Sequence, residues 1–548
     1  MRDYLVSRIS RILNFRFSAL AACVLFLFTG ASFVSHLGLQ NDESLFVNAI
    51  YKPYAVVYSF KIGHSTLPFM LMSYLGTLKA WIYRPIFRLF GTGMPAMRGP
   101  MLLAGVASVW LFYLLLRRIA GERAALIGCG LLATDSLYLL TACFDWGPVA
   151  LQHLLLTAGV LLLVRFYQRN SHSSLAWGCF LLGLAMWDKA LAIWMLSGMG
   201  VAVFAVCTKK IVAVITPRRL AISVLSFALG ALPLILYNVH TRLGTFRSNA
   251  SWETRELPVK GRLLLTTADG SALFSWLIQD DWQTKNPHPP EGRLQSVSAK
   301  ISALAANPRH SLLLYAFALA LLLTPLARGN ALRAILFALI AMVLAWAQMA
   351  VTANAGGSVH HAILIWPLPE MVIAISFAAA SRRLGAAGIP ALAVVLVVLM
   401  GSSLLVTNEY YAVMMRNGGS LGWTDAIFRL SDYLKGSAPG EIYCNDWGMM
   451  DSLRLLSRGK LPLRVGTDPI DKPQLDDTDR EYLARAISEP GHLFINHTKD
   501  FEFFAGVNDK LVKFAKAAGY RREVLAVISD SNNRPVYEVY QFAAARVP

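Results

Sequence analysis

The sequence predicts a mainly α-helical, polytopic membrane protein of about 11 transmembrane helices, with interfacial helices in the first outer loop and a C-terminal soluble α/β domain. Three observations lead there. Of 548 residues, 55% are hydrophobic, and the apolar residues gather into long uncharged runs, as membrane spans do. The formal net charge of +18 sits largely at the ends of those runs, so it reads as topology and not as a nucleic-acid surface. Past residue 407 the pattern changes to short strands and amphipathic helices.

The apolar runs fall at 16–36, 98–116, 124–142, 147–166, 174–187, 190–208, 219–238, 311–327, 331–352, 362–380 and 388–407. The first follows Arg2, Arg8, Arg11 and Arg16 and resembles a signal peptide. Its length of about twenty residues, with no A-x-A site after it, favours an uncleaved first helix over cleavage near Ala31. With the N-terminus in the cytoplasm, alternation places seventeen basic residues on the cytoplasmic side, among them Arg117, Arg118, Arg123, Arg165, Arg169, Arg218, Arg219, Arg382 and Arg383. The short loops opposite hold almost none, which is the positive-inside pattern. An odd number of spans then puts the C-terminus outside.

Residues 1–407 therefore form the membrane domain, with a first outer loop at 37–97 and a long outer loop at 239–310. The stretch 65–91 is apolar but carries Lys79, Arg84 and Arg88. It is expected to lie on the outer interface as one or two amphipathic helices. In the long loop, NPHPPEG reads as a mobile stretch. Residues 408–548 read as a small α/β domain, with helices at WTDAIFRLSDYLKG, DSLRLLSRG and NDKLVKFAKAAGY and strands at EIYCND, GHLFINH and REVLAVISDSNNRPVYEVYQF.

On this topology the polar residues of interest share one face. Asp42 and Glu43 follow the first span, and Asp145 ends the third. Asp188 and Lys189 occupy the outer turn between the fifth and sixth spans, and His360 and His361 open the tenth. Each has a plain reading: interfacial charge for the acidic pair, a helix cap for Asp145 ahead of Pro148, an internal ion pair for Asp188–Lys189, hydrogen-bonded histidines. Charges inside apolar runs cost about 2.5–3.5 kcal/mol each on insertion scales, so a use for Asp188 and Lys189 is expected. A carboxylate can serve as a base, and a lysine and histidines can steady a phosphate. The six cysteines form no CxxC pair, so no disulfide framework or zinc site is expected, although Cys143 and Cys444 could face the same compartment.

The order of these motifs resembles the membrane glycosyltransferases of the GT-C superfamily, nearest the protein O-mannosyltransferases and the lipid A aminoarabinose transferases. The resemblance rests on Asp42-Glu43 after the first helix, on STLPFMLMSYLGTLKAWIYRPIFRLFGTGMPAMR ending in Arg98, and on LLLRRIAGERAALIGCGLLATDSLYLL leading to Asp145. It continues through GLAMWDKA, with Lys189, and HHAILIWPLP. It is good over about 15–200 and sparse beyond. It implies inverting transfer of a sugar from a polyprenyl phosphate to a lipid, glycan or protein acceptor on the outer face. Asp42 would be the base, Glu43 its support, Asp145 an acceptor-holding or ordering acid, and Lys189 the contact to the donor phosphate. Two departures stand out. GHSTLP replaces the Glu-Lys-Pro-Pro run of the aminoarabinose branch, so Lys61 or His64 would take over a phosphate contact, and His361 replaces an aromatic. No cofactor or metal is required, though an acidic pair could hold a divalent ion. A bacterial inner membrane is the expected location. The alternative class, a transporter or flippase of lipid-linked intermediates, predicts internal repeats and mid-membrane charge; no repeat is visible. A non-catalytic scaffold would leave the shared face of acids, lysine and histidines unexplained.

Overall fold

In the computed structural model, described over residues 2–53, 55–284, 287–437 and 440–545, a helical unit is followed by a mixed sheet covered by helices. The side chains of residues 2–15, Lys209 and Lys210, and Asn286 of the Pro-rich stretch, lie outside the described residues. Among the described residues, six helices are long and apolar enough to cross a membrane: Arg16–Val34, Met94–Ile119, Val149–Arg169, Asn330–Val351, Val359–Arg383 and Gly385–Asn417. Two bent pairs raise the number to eight if each pair is one span. The remaining runs fall on shorter helices, His172–Asp188, Ala192–Thr208 and Leu313–Leu326. The last span continues to Asn417, ten residues beyond the boundary drawn at 407.

Both bends have local causes. Asp135 leaves helical geometry, and its carboxylate accepts from the Tyr138 amide at 2.7 Å and from Trp366 Nε1 at 3.1 Å. It thereby caps Ser136–Cys143, turned 59° from Glu122–Thr134, in a layer where bare N–H groups cost several kcal/mol. The second bend, 76°, precedes Leu232–His240, whose second residue is Pro233, a residue without an amide to give the preceding turn. Close helix contact uses glycine. A Cβ on Gly183 would lie 2.2 Å from the Phe227 carbonyl oxygen, and one on Gly230 2.2 Å from that of Phe180, so these two helices meet backbone to backbone.

The first outer loop corrects the expectation of helices throughout 65–91. Strands β1 (Tyr58–Ile62), β2 (Ser65–Met72) and β3 (Leu75–Gly76) form an antiparallel sheet, and only Leu78–Phe90 is an amphipathic helix. The reason is legible afterwards: Gly63, at φ +57°, turns the chain between Ile62 and Ser65, and Pro68, which would break a helix, sits opposite Ser59 beside a register shift in the β1–β2 pairing. The long loop, by contrast, holds three α-helices among the described residues, Gly244–Asn249, Leu257–Ala268 and Gly292–Leu304. Its Pro-rich stretch is anchored, with the His288 amide donating to the Arg416 carbonyl at 2.8 Å.

The C-terminal sheet adds β4 (Ile442–Cys444), β5 (Leu463–Val465), β6 (Leu493–His497), β7 (Tyr520–Ser529) and β8 (Pro535–Ala544), in the order β5-β4-β6-β8-β7. Alternate residues feed two cores: Ile442, Cys444, Ile495 and Val539 on one face, Tyr443, Phe494 and Tyr540 on the other. This unit sits on the first outer loop. The Met450–Leu456 helix packs on the short helix Asn41–Leu45. Ser452 Oγ donates to the Leu39 carbonyl at 2.8 Å, and the Gly38 amide donates to the Trp423 carbonyl at 2.7 Å.

Candidate active site

The acidic pair divides. Glu43 is buried and takes both arms of the Arg98 guanidinium, Nε to Oε1 at 2.7 Å and Nη2 to Oε2 at 3.0 Å. Arg98 also donates to the carbonyls of Val34 (3.2 Å), His36 (2.5 Å) and Gly38 (2.7 Å). It thus holds the carbonyls left open where the first helix ends and lies over the Phe144 ring at 4.6 Å. All of its donors are used on protein, so it is an anchor in this structure.

Asp42 is different. Gln40 Oε1 accepts from the Asp42 amide at 2.6 Å and the Glu43 amide at 3.2 Å, which fixes the turn. The Asp42 carboxylate receives Asn41 Nδ2 at 3.3 Å. Among the described residues it forms no ion pair, and it stays partly exposed. Burial pushes its pKa up to about 6; the Asn41 hydrogen bond and the Lys189 charge oppose the rise, and the Asp451 charge adds to it. Tyr74 is close enough that, after burial, the Asp42 charge helps push its phenol up.

Asp145 is buried against Lys79, whose ammonium donates to Oδ2 at 2.8 Å and to the Asp145 carbonyl at 3.0 Å. Its other oxygen accepts from the Val149 and Ala150 amides at 2.6 and 3.2 Å, so it also caps the Val149–Arg169 helix. Lys189 lies in the turn after His172–Asp188, pairs with Leu75 across a β-bridge, and donates to the Gly147 carbonyl at 2.8 Å. Burial draws its pKa down to about 8, while the charges of Asp145, Asp188 and Asp42 oppose the fall. Asp188 is buried beside it with Oδ2 unpartnered among the described residues.

Gly147 brings in the histidines: a Cβ there would lie 2.5 Å from His360 Cγ. His360 Nδ1 meets Ser358 Oγ at 2.7 Å, its ring is 4.2 Å from that of His361, and it stands edge-on to Trp146 at 5.9 Å. Asp145, Asp188, Lys189 and His360–His361 thus share one neighbourhood with Asp42 at its edge. Lys61 and His64 do not join it; both are exposed at the tip of the β1–β2 hairpin. Two members were missed in the sequence. Lys79 was read as interfacial charge, although it shares a helix face with Tyr83 and Phe87, both buried. Asp451 gave no local signal: its carbonyl and Oδ1 accept from Asn48 Nδ2 at 2.8 and 3.0 Å, and it pairs with Arg454. All six cysteines are free. Among the described residues no three His, Cys, Asp or Glu side chains group as a metal would need.

Residues 76–237 match the family model described as dolichyl-phosphate-mannose-protein mannosyltransferase. No curated protein matches the sequence. Among solved structures, ArnT from Cupriavidus metallidurans bound to undecaprenyl phosphate is similar at 13% identity and a TM-score of 0.55, over 97% of this chain and 98% of that one. The chain has the GT-C fold. Archaeal oligosaccharyltransferase AglB from Archaeoglobus fulgidus, in complex with an inhibitory peptide and a dolichol-phosphate, is similar at 11% identity and a TM-score of 0.50, over 97% of this chain and 75% of that one. Arabinofuranosyltransferase AftD from Mycobacteria is similar at 15% identity and a TM-score of 0.51, over 96% of this chain but 40% of AftD. With this fold and its apolar helices, the chain is an integral membrane protein.

Removing Arg98 leaves Glu43 buried and unpaired. Arg98→Ala is expected to cost about 3–5 kcal/mol, read as a lower thermal unfolding midpoint of the purified protein, with Arg98→Lys intermediate because it keeps the charge and loses the fork.

Proposed function

We propose that this GT-C protein is an inverting glycosyltransferase that moves a sugar from a polyprenyl-phosphate donor to a lipid, glycan or protein acceptor. In this reading eleven spans lie in a bacterial inner membrane, with the N-terminus cytoplasmic and the active face and C-terminal domain outside. The observation that carries it is Asp42: a fixed, partly exposed carboxylate without a cation partner among the described residues, raised towards neutrality beside a buried lysine. A base needs a pKa near the working pH and a free oxygen to receive the proton.

Chemically, Asp42 takes the acceptor hydroxyl proton as that oxygen attacks the anomeric carbon. The bond from that carbon to the phosphate breaks, and the polyprenyl phosphate leaves with the electron pair. Lys189 offsets its growing negative charge. The Lys79–Asp145 pair holds the 145–149 turn, and with it the Gly147 carbonyl that orients Lys189. Asp188 and the histidines line the same neighbourhood. Lys61, His64 and Arg98 receive no donor-binding role here: the first two are exposed at the tip of the β1–β2 hairpin, and Arg98 is saturated by protein. The transporter alternative finds no support in the fold.

Two experiments test the reading on purified protein with labelled polyprenyl-phosphate sugar and a membrane-extract acceptor. Asp42→Asn is expected to lower transfer by about 10²–10⁴-fold; transfer at the wild-type rate would remove Asp42 as the base. The pH profile supplies the second. A base acts when ionised, so kcat/KM should rise with pH through about 6 and level off above it; a rate that falls as pH rises through 6 would contradict the assignment.

A further inference from the structure

Five cations of the outer loops have no task in the acid cluster. Lys61, Arg84, Arg88, Arg242 and Arg247 are exposed, and none of them forms an ion pair among the described residues. No acid is close in the chain either, since residues 44–121 and 189–252 contain no Asp or Glu. Basic residues of a membrane protein ordinarily collect on the cytoplasmic side, so unpaired ones on the opposite face need another reason.

The same segments hold apolar side chains away from the core. Phe60 and Ile62 flank Lys61 on the β1–β2 hairpin and are 50% and 57% exposed. Leu89 and Phe90 follow Arg88 at 77% and 76%, and Phe246 precedes Arg247 at 57%. Cations interleaved with exposed apolar side chains, with no acid among them, suit a surface that lies against lipid.

These segments are fastened to one another and to the ends of two membrane helices. Trp81 Nε1, from the helix Leu78–Phe90, donates to the Pro68 carbonyl of β2 at 2.9 Å, and the Phe69 ring contacts those of Phe60 and Trp81 at 6.3 and 5.7 Å. Thr245 Oγ1, from Gly244–Asn249, donates to the Ser73 carbonyl at 2.6 Å. Strand β2 packs on Leu232–His240, the second half of a bent pair, and Trp187, near the end of His172–Asp188, donates to the Phe69 carbonyl at 2.8 Å. Trp81 meets Trp187 and Tyr58 meets Tyr237 ring to ring, at 5.4 and 6.0 Å. Tryptophan and tyrosine gather at the membrane–water boundary, so the hairpin and the two helices form one platform at that level.

The geometry points to this platform as a docking surface for anionic phospholipid headgroups of the outward-facing leaflet, with Phe60 and Ile62 at the boundary of the acyl chains and the five cations on lipid phosphates. A zwitterionic leaflet would take the apolar side chains and leave the cations without net counter-charge. A soluble polyanion would leave Phe60 and Ile62 in water. An anionic leaflet meets both demands, and the platform is continuous with helices already in the membrane. None of these side chains belongs to the acid cluster, so the inference stands apart from the Asp42 reading.

The readout is placed on the hairpin tip, because arginines at the other ends of the spans also attract anionic lipid. Ser65→Cys carries a fluorophore there in full-length protein reconstituted in nanodiscs, and wild-type protein labelled in parallel corrects for the native cysteines. Quenching is measured with phosphatidylglycerol or phosphatidylcholine bearing a nitroxide near the top of one acyl chain. Both lipids are expected to quench, phosphatidylglycerol about fivefold more at low salt, which is the effect of roughly one basic side chain at an anionic surface, and the difference should shrink in high salt. Adding Lys61→Gln, Arg84→Gln, Arg88→Gln, Arg242→Gln and Arg247→Gln is expected to make the two lipids quench equally, with the thermal unfolding midpoint unchanged. A tip that neither lipid quenches, equal quenching before the charges are removed, or a phosphatidylglycerol preference that is insensitive to salt or survives in the folded five-charge variant, would overturn the docking surface.

Discussion

The Glu43–Arg98 pair is the constraint on which the first outer loop depends. One guanidinium meets a carboxylate at two points and three carbonyls at the end of the first helix. Unpaired, any of these buried groups would be costly; together they determine where the chain goes after leaving the first helix. The next turn is then completed from two sides. Gln40 caps it from within, and the C-terminal unit closes on it, with the Asp451 amide donating to Asn41 Oδ1 at 3.3 Å and Ser452 bound to the Leu39 carbonyl. Gly38 allows that approach, since a Cβ there would fall 1.8 Å from the Thr424 carbonyl oxygen.

This arrangement explains how two neighbouring acids can differ. Glu43 is neutralised by a matched cation and has no lone pair directed at a substrate. Asp42, one residue earlier, has a fixed backbone and a carboxylate that receives Asn41 Nδ2, so desolvation acts on it with no counter-ion in contact among the described residues. The same division recurs deeper in the site. Asp145 is neutralised by Lys79 and used as a cap, while Lys189 is buried near three acids and, among the described residues, has only the Gly147 carbonyl as hydrogen-bond partner. Paired charges build the scaffold; the incompletely paired ones are those to which the proposed chemistry assigns a task.

Much of this was legible in the sequence, and the limits follow from range. Hydropathy is a local signal, so the apolar runs fall on helices, and the break at Asp135 and the bend at Pro233 are refinements within them. Alternation marked β4, β6, β7 and β8, but β5 and the Asp477–Ser488 helix escaped, one being three residues long and the other strongly polar. The hairpin at 58–72 was hidden because an apolar run with basic residues suits an interfacial helix as well, and Gly63 and Pro68 were the discriminating residues. The placing of Asp42, Asp145, Asp188, Lys189 and the histidines on one face came from charge asymmetry. Their partners did not: Lys79 reaches Asp145 across 66 positions, and Asn48 reaches Asp451 across 403. No local pattern encodes such pairings.

The most direct test of the account compares Asp42→Asn with Glu43→Gln in one preparation, measuring transfer rate and thermal unfolding midpoint for each. The account predicts that Asp42→Asn loses transfer and keeps the wild-type midpoint, whereas Glu43→Gln lowers the midpoint because Arg98 is left buried without its counter-charge. A Glu43→Gln protein as stable as wild type, or an Asp42→Asn protein that still transfers at the wild-type rate, would contradict it.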